Sequence, residues 1–172
     1  VGVLAGAVLA CVVPVGLRAA PVPVAWTLAA FHVPPTVRPG HRLTVTIRAV
    51  VEAGWHLFGT SQAANGPTPL RVSVPAGQVC ALAGPVKSPP PHRAWDPLLE
   101  TETATHDGVV EFSVPLRVAA NAAAGRNSIA IQVQYQACST DLCLPPRTIT
   151  LSMPLEIRRD SSTPPRQPRS GA

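Results

Sequence analysis

Cys138 and Cys143 stand with four residues between them in "VQYQACSTDLCLPP". Two sulfurs that close in sequence can bolt a loop shut, clamp a metal ion, or cycle between dithiol and disulfide. Alternating apolar and polar runs lie on either side, Asn127–Ala137 and Arg147–Ile157, and predict two antiparallel strands joined through the pair. Opposed residues at such a hairpin neck have Cα atoms roughly 4.5–5.5 Å apart, within disulfide reach. The ring so closed holds six residues. By chain entropy it contributes about 2 kcal/mol, against about 5 kcal/mol for a ring of a hundred. A bolt here is therefore a weak one. Ser139, Thr140 and Asp141 keep the turn polar and reachable by a partner thiol. Neither cysteine begins a helix that would lower a thiol pKa, and Asp141 raises it, so exchange is expected to depend on docking.

The metal use has the least support. His56, His92, His106 and Met153 are available, but none stands at a fixed ligand spacing from the pair. No metal or other cofactor is expected. Spacing alone still leaves the bolt, the clamp and the redox pair open. Cys80 lies among the apolar Val79, Ala81 and Leu82, the setting of a buried, inert thiol bonded to neither member of the pair.

The elements that must hold this pair are legible in the periodicity. "HRLTVTIRAVVE" puts Leu43, Val45, Ile47, Ala49 and Val51 on one face. "GVVEFSVPLRV" does the same with Val110, Phe112, Val114, Leu116 and Val118. In the flanking runs Ile129, Ile131, Val133 and Tyr135, then Ile149, Leu151, Met153, Leu155 and Ile157, fall inward. Weaker strands are expected near Trp26, Val72 and Cys80. Period two means half-buried strands, and no helical period appears after Pro21. With 21 prolines and 12 glycines as punctuation, the expectation is an all-β, immunoglobulin-like antiparallel sandwich of two packed sheets. Pro115 and Pro154 mark edges or bulges. Lys87–Gly108 reads as a long irregular connection, a length that is usually functional.

With 172 residues the chain has room for one domain, expected over 25–157. Residues 1–24 form an apolar leader; Val1–Leu17 carries no charge, and small residues follow it, which is the pattern of an exported protein. Pro14 and the short run argue against a span, although an N-terminal anchor is the alternative, and Val8–Cys11 faintly resembles a lipoprotein box. Residues 158–172, rich in Pro, Ser and Arg, read as a disordered basic tail. The net charge of +5 comes with no basic stripe and no interleaved aromatics, so nucleic acid is not an expected partner. Export places the cysteines in an oxidising compartment, where disulfide chemistry is at home.

Three segments carry a resemblance. "AGWHLFGTSQAANGPTPLRVSVPAG", then "VVEFSVPLRV", then "VQYQACSTDLCLPP" resemble the N-terminal periplasmic domain family of thiol:disulfide interchange proteins of the DsbD type. The specific part is Tyr-Gln-Ala-Cys followed by Cys-Leu-Pro-Pro; Gly54-Trp55-His56 supports it. The resemblance implies an immunoglobulin-like domain, acting in the periplasm as a monomer, whose Cys138 and Cys143 cycle between dithiol and disulfide. Electrons would come from a membrane-embedded reductase and its thioredoxin-like domain, in the same chain or in trans. They would pass to extracytoplasmic oxidoreductases, such as a disulfide isomerase or a cytochrome-maturation thioredoxin. The resemblance also places His56, Phe58 and Tyr135 in packing near the pair. It implies a cap loop within Arg93–Thr103 that offers Trp95, Asp96 and Leu98; the other use of these apolar residues is to plug the end of the core. Outside the resemblance, the residues also suit a secreted sandwich with a structural disulfide serving as a binding module, or a periplasmic copper-handling protein using the thiols and Met153.

Overall fold

The computed structural model describes residues 22–28 and 36–159. Most of the expected leader, including Cys11, and the tail beyond Arg159 lie outside the described residues. The described chain forms β1 (Val24–Leu28), β2 (Thr36–Val37), β3 (Arg42–Val51), β4 (Trp55–Phe58), β5 (Arg71–Ser73), β6 (Cys80–Leu82), β7 (His92–Asp96), β8 (Thr101–His106), β9 (Val109–Val118), β10 (Gly125–Tyr135), β11 (Ala137–Ser139) and β12 (Arg147–Ile157). No helix occurs among the described residues, so none there is long and apolar enough to cross a membrane.

The period-two runs build the expected sandwich. One sheet has the order β1-β3-β9-β6 and the other β2-β12-β10-β5. Their long central pairs are antiparallel, from Arg42↔Arg117 to Val50↔Val109 and from Gly125↔Ile157 to Tyr135↔Arg147. Alternate residues therefore share a face, and the apolar sets meet as one core. Ile47, Phe112, Leu116, Ile129 and Ile131 have no exposed surface. Ile149 and Leu151, expected inside, are only partly buried because they lie toward the end of β12 that runs out to the cysteines. A lone parallel pairing joins β2 to the far end of β12.

Both prolines sit where a missing N–H costs nothing. The Pro115 carbonyl accepts from Ala83 N at 2.9 Å, so its nitrogen faces the same side, just where β6 has stopped at Leu82. Pro154 precedes the short stretch of β12 that β2 covers. Cys80 is buried and free on β6, opposite Val118, and burial pushes its thiol up to about 11.

Two expectations need correcting. Lys87–Gly108 is not an irregular connection: Lys87 bridges to Ser113, and His92–His106 is a hairpin of β7 and β8 paired from His92↔Thr105 to Asp96↔Thr101. Its polar composition hid it, since neither β7 nor β8 shows a long alternation of apolar and polar residues. Nor are there only two sheets. A third, ordered β11-β4-β8-β7, stands at one end of the sandwich and contributes Leu57 and Ala137 to its core.

Candidate functional site

The third sheet carries Cys138 on β11, and Cys143 bridges to it. After Tyr135 the chain leaves β10 through Gln136, and one side chain holds that departure. Gln136 Oε1 accepts from Thr68 N at 2.9 Å, and its Nε2 donates to Leu144 O at 3.1 Å. Its own carbonyl accepts from Phe58 N at 3.3 Å. Gln136 thus ties the cysteine turn to β4 and to the 59–70 loop. Sequence reading did not single it out; the signal was its position two residues ahead of the cysteine.

Cys138 and Cys143 then face each other as an antiparallel bridge with a disulfide and a Cα–Cα distance of 4.1 Å. Ser139 N donates to Leu142 O at 2.8 Å, and Leu144 N donates to Ala137 O at 3.0 Å. The Ser139 hydroxyl also accepts from Asp141 N and Leu142 N, at 3.3 and 3.1 Å. Backbone bonds and the Ser139 hydroxyl together close this turn. The pair is asymmetric: Cys138 is 1% exposed, while Cys143 is half-buried.

On its other side β11 pairs with β4, in the register Ala137↔Leu57, Cys138↔His56 and Ser139↔Trp55. Directly opposed residues share a face. Ala137 and Leu57 turn into the core, so Cys138 and His56 turn away from it together. The β3–β4 turn sets this register. Trp55 N donates to Glu52 O at 3.1 Å, and Gly54 takes φ of 82°, a left-handed value that a residue with a Cβ adopts at a cost. Phe58, two residues on, is fully buried and presents its ring edge-on to His56 at 5.3 Å. Of the expected neighbours of the pair, His56 is thus brought opposite it and Phe58 packs on His56. Tyr135 instead sits in the sandwich core, its ring 5.1 Å from Trp26.

The hairpin of β7 and β8 borders the same face. A cleft of about 690 Å³ lies between its tip and the cysteine turn, lined among others by His56, Trp95, Asp96, Leu98, Thr103, Asp107, Ser139 and Thr140. Asp96 organises the tip, its Oδ1 accepting from Leu98 N at 2.9 Å and Leu99 N at 3.1 Å. Trp95 is 67% exposed and Leu98 51% exposed. They are rim residues of the cleft and no plug for the core. Leu142, exposed at the cysteine turn itself, is an apolar side chain that sequence reading passed over.

The electrostatics centre on His56. Burial holds its pKa below the usual histidine range, with the Asp96 and Asp107 carboxylates opposing that shift. Its Nε2 is buried without a hydrogen-bond partner. Asp107 was not anticipated from the sequence. His106 is also depressed by burial, but it faces Phe112 edge-on in the interior, with His92 on the outer strand. Among the described residues, no three His, Cys, Asp or Glu side chains gather where they could hold a metal ion. Met153, the candidate soft ligand, is buried in the sandwich opposite Ile129.

The family described as thiol:disulfide interchange protein DsbD, N-terminal, matches residues 26–154. No curated protein matches by sequence. Among solved structures, the chain is similar to the reduced N-terminal domain of DsbD from Neisseria meningitidis, with 13% identity and a TM-score of 0.46; the match covers 70% of this chain and 80% of that one. It is also similar to the N-terminal periplasmic domain of ScsB from Proteus mirabilis, with 13% identity and a TM-score of 0.48; there the match covers 77% of this chain and 45% of the other.

Proposed function

The chain belongs to the DsbD N-terminal family of thiol:disulfide interchange proteins, and on that premise we propose that it relays reducing equivalents through Cys138 and Cys143. It takes them from a membrane-embedded reductase, directly or through a thioredoxin-like domain, and hands them to extracytoplasmic oxidoreductases in the periplasm. The observation that carries this reading is the placement of the disulfide. It closes a turn already closed by its own backbone hydrogen bonds, and it leaves Cys143 half-buried beside the polar Ser139, Thr140 and Asp141. A cross-link so local contributes only about 2 kcal/mol to folding. It is poorly sited as a bolt and well sited as a reactive bond.

The asymmetry of the pair supports a division of roles. Exchange proceeds through a mixed disulfide, and a partner thiolate must reach the sulfur that it attacks. Cys143 is therefore the residue that joins the partner, and Cys138, at 1% exposure, is the one that resolves the adduct. Redox titration of the pair in glutathione buffers tests the reading. A working pair equilibrates well above about −300 mV, whereas a structural disulfide stays oxidised to below it.

Trp95 and Leu98 serve as a shield and docking rim. Their exposure supports this, because their side chains contribute little to the core yet border the cleft beside the cysteine turn. Changing both to Ala is expected to move stability by less than about 0.5 kcal/mol. Thiol–disulfide exchange with glutathione should become several-fold faster. Stopped-flow quenching of the oxidised and reduced forms measures it; an unchanged rate would mean that the shielding lies elsewhere.

A further inference from the structure

We propose that His56 is the proton acceptor for Cys138 in the step that resolves the mixed disulfide. This rests on the exchange reading above and goes beyond it, since it gives a chemical role to a side chain that otherwise only packs.

Geometry comes first. Cys138 and His56 are directly opposed on adjacent antiparallel strands. Side chains so placed share a face, with Cβ atoms about 4.5–5.5 Å apart. Cys143, Cys138 and His56 thus form a row across three strand segments, with the resolving sulfur in the middle. The His56 Nε2 is buried and unpartnered in the oxidised protein, as are Trp26 Nε1 and His106 Nε2, but of the three His56 alone stands opposite a member of the cysteine pair. Buried polar nitrogens in native structures are nearly always paired, so an orphan needs a reason. A disulfide sulfur carries no proton. Reduction places an S–H beside the imidazole and supplies the missing partner.

The surroundings suit a proton that arrives and then leaves. Cys138 faces His56 from β11, Asp96 from the end of β7 and Asp107 from the segment after β8; Glu52, ahead of β4, lines the same cleft. The neighbour on its own strand is the uncharged Phe58 ring. Burial keeps the imidazole neutral, which is the form that can accept a proton. The two carboxylates favour the imidazolium once it forms, and the open cleft gives it access to water.

The step balances. The Cys143 thiolate attacks the partner's disulfide; a Cys143–partner bond forms, the partner's S–S bond breaks, and one partner sulfur leaves as thiolate. Cys138 then passes its proton to His56, and its thiolate attacks Cys143 Sγ. The Cys138–Cys143 bond forms, the bond to the partner breaks, and the second partner sulfur leaves as thiolate. This domain loses two electrons and the partner gains two. The imidazolium returns its proton to that thiolate or to water.

Reduced protein carrying Cys11→Ser is mixed with dithionitrobenzoate, an aromatic disulfide that releases one coloured thiolate on attack by Cys143 and a second on closure by Cys138. In the parent, the second phase should rise with pH through the lowered pKa of His56 and level off above it. In His56→Gln and His56→Phe it should slow at least tenfold at neutral pH, consistent with the roughly 10²–10⁴-fold that general bases supply. It should then climb into the thiol range, near about pH 8.5. The first phase should be unchanged. Should the phenylalanine variant not fold, the glutamine variant, with its similar reach, carries the test. A second phase matching the parent at every pH in a folded variant overturns the inference and leaves the exchange reading standing. Equal slowing of both phases also overturns it, since that marks a packing role. A parent that shows no second phase overturns both.

Discussion

Replacing Cys143 with serine should reduce exchange to background, whereas replacing Cys138 with alanine should leave the first chemical step running and arrest the protein as a mixed disulfide. The contrast follows from burial. Cys143 is half-buried and Cys138 is 1% exposed. A thiolate must meet a disulfide sulfur in line, so the accessible sulfur makes first contact. Serine at 143 keeps the shape of the turn and removes the nucleophile. At position 138 alanine is the better choice, because it removes the resolving sulfur without putting a hydroxyl donor opposite the unpartnered His56 Nε2. Incubating the reduced Cys138→Ala variant, also carrying Cys11→Ser, with glutathione disulfide should yield a single stable adduct at Cys143, read by intact-mass spectrometry and peptide mapping. The Cys143→Ser variant should yield no adduct at Cys138 on that timescale. Rapid adduct formation at Cys138 would reverse the assignment and would also undercut the resolving role given to that sulfur.

Phe112→Ala should cost about 3–5 kcal/mol, the range for emptying a fully buried aromatic site. Phe112 lies on β9 with no exposed surface. Its ring meets Trp26 of β1 at 6.0 Å and stands edge-on to His106 of β8 at 5.8 Å. One side chain therefore packs against both the sandwich and the sheet that carries the site. Domains of this kind hold only about 5–15 kcal/mol in total, so the loss is a large share of it. Urea unfolding followed by tryptophan fluorescence should show a much lower midpoint at an unchanged slope. Val109→Ala, an exposed change on the same strand, should stay within about 0.5 kcal/mol. A Phe112→Ala cost near that of Val109→Ala would mean the core does not centre where the burial indicates.

Each site residue was readable to a different degree, for physical reasons. The cysteine pair was visible because two sulfurs between two alternating runs must lie in the connection of a hairpin, and β10 and β12 pair in that way. By pattern alone Asp96 and Leu98 were just polar and apolar residues in a long connection, and only the resemblance put them in a cap loop. The hairpin that presents them carries Thr, Glu, His and Arg, with no apolar alternation to declare it. Tyr135 was read as inward-facing, and it does face in, toward Trp26, a residue near the other end of the chain.

What the sequence by itself determined is the sandwich. Strand formation in the long runs depends on alternation between neighbours, a local property that is written out residue by residue, and one buried face then dictates how the two sheets meet. What only the tertiary structure decided is the third sheet and the chemistry it assembles. β4 has four residues and β11 three, too short for a period to speak. Their pairing joins segments far apart in the chain, and the register within it is set by the Gly54 turn on one side and the Gln136 hydrogen bonds on the other. A shift of one residue would turn His56 into the core and away from Cys138. The identity of the cysteines was therefore a matter of sequence. The placement of His56 opposite Cys138, and the unequal burial of the two cysteines, depended on how distant strands came into register.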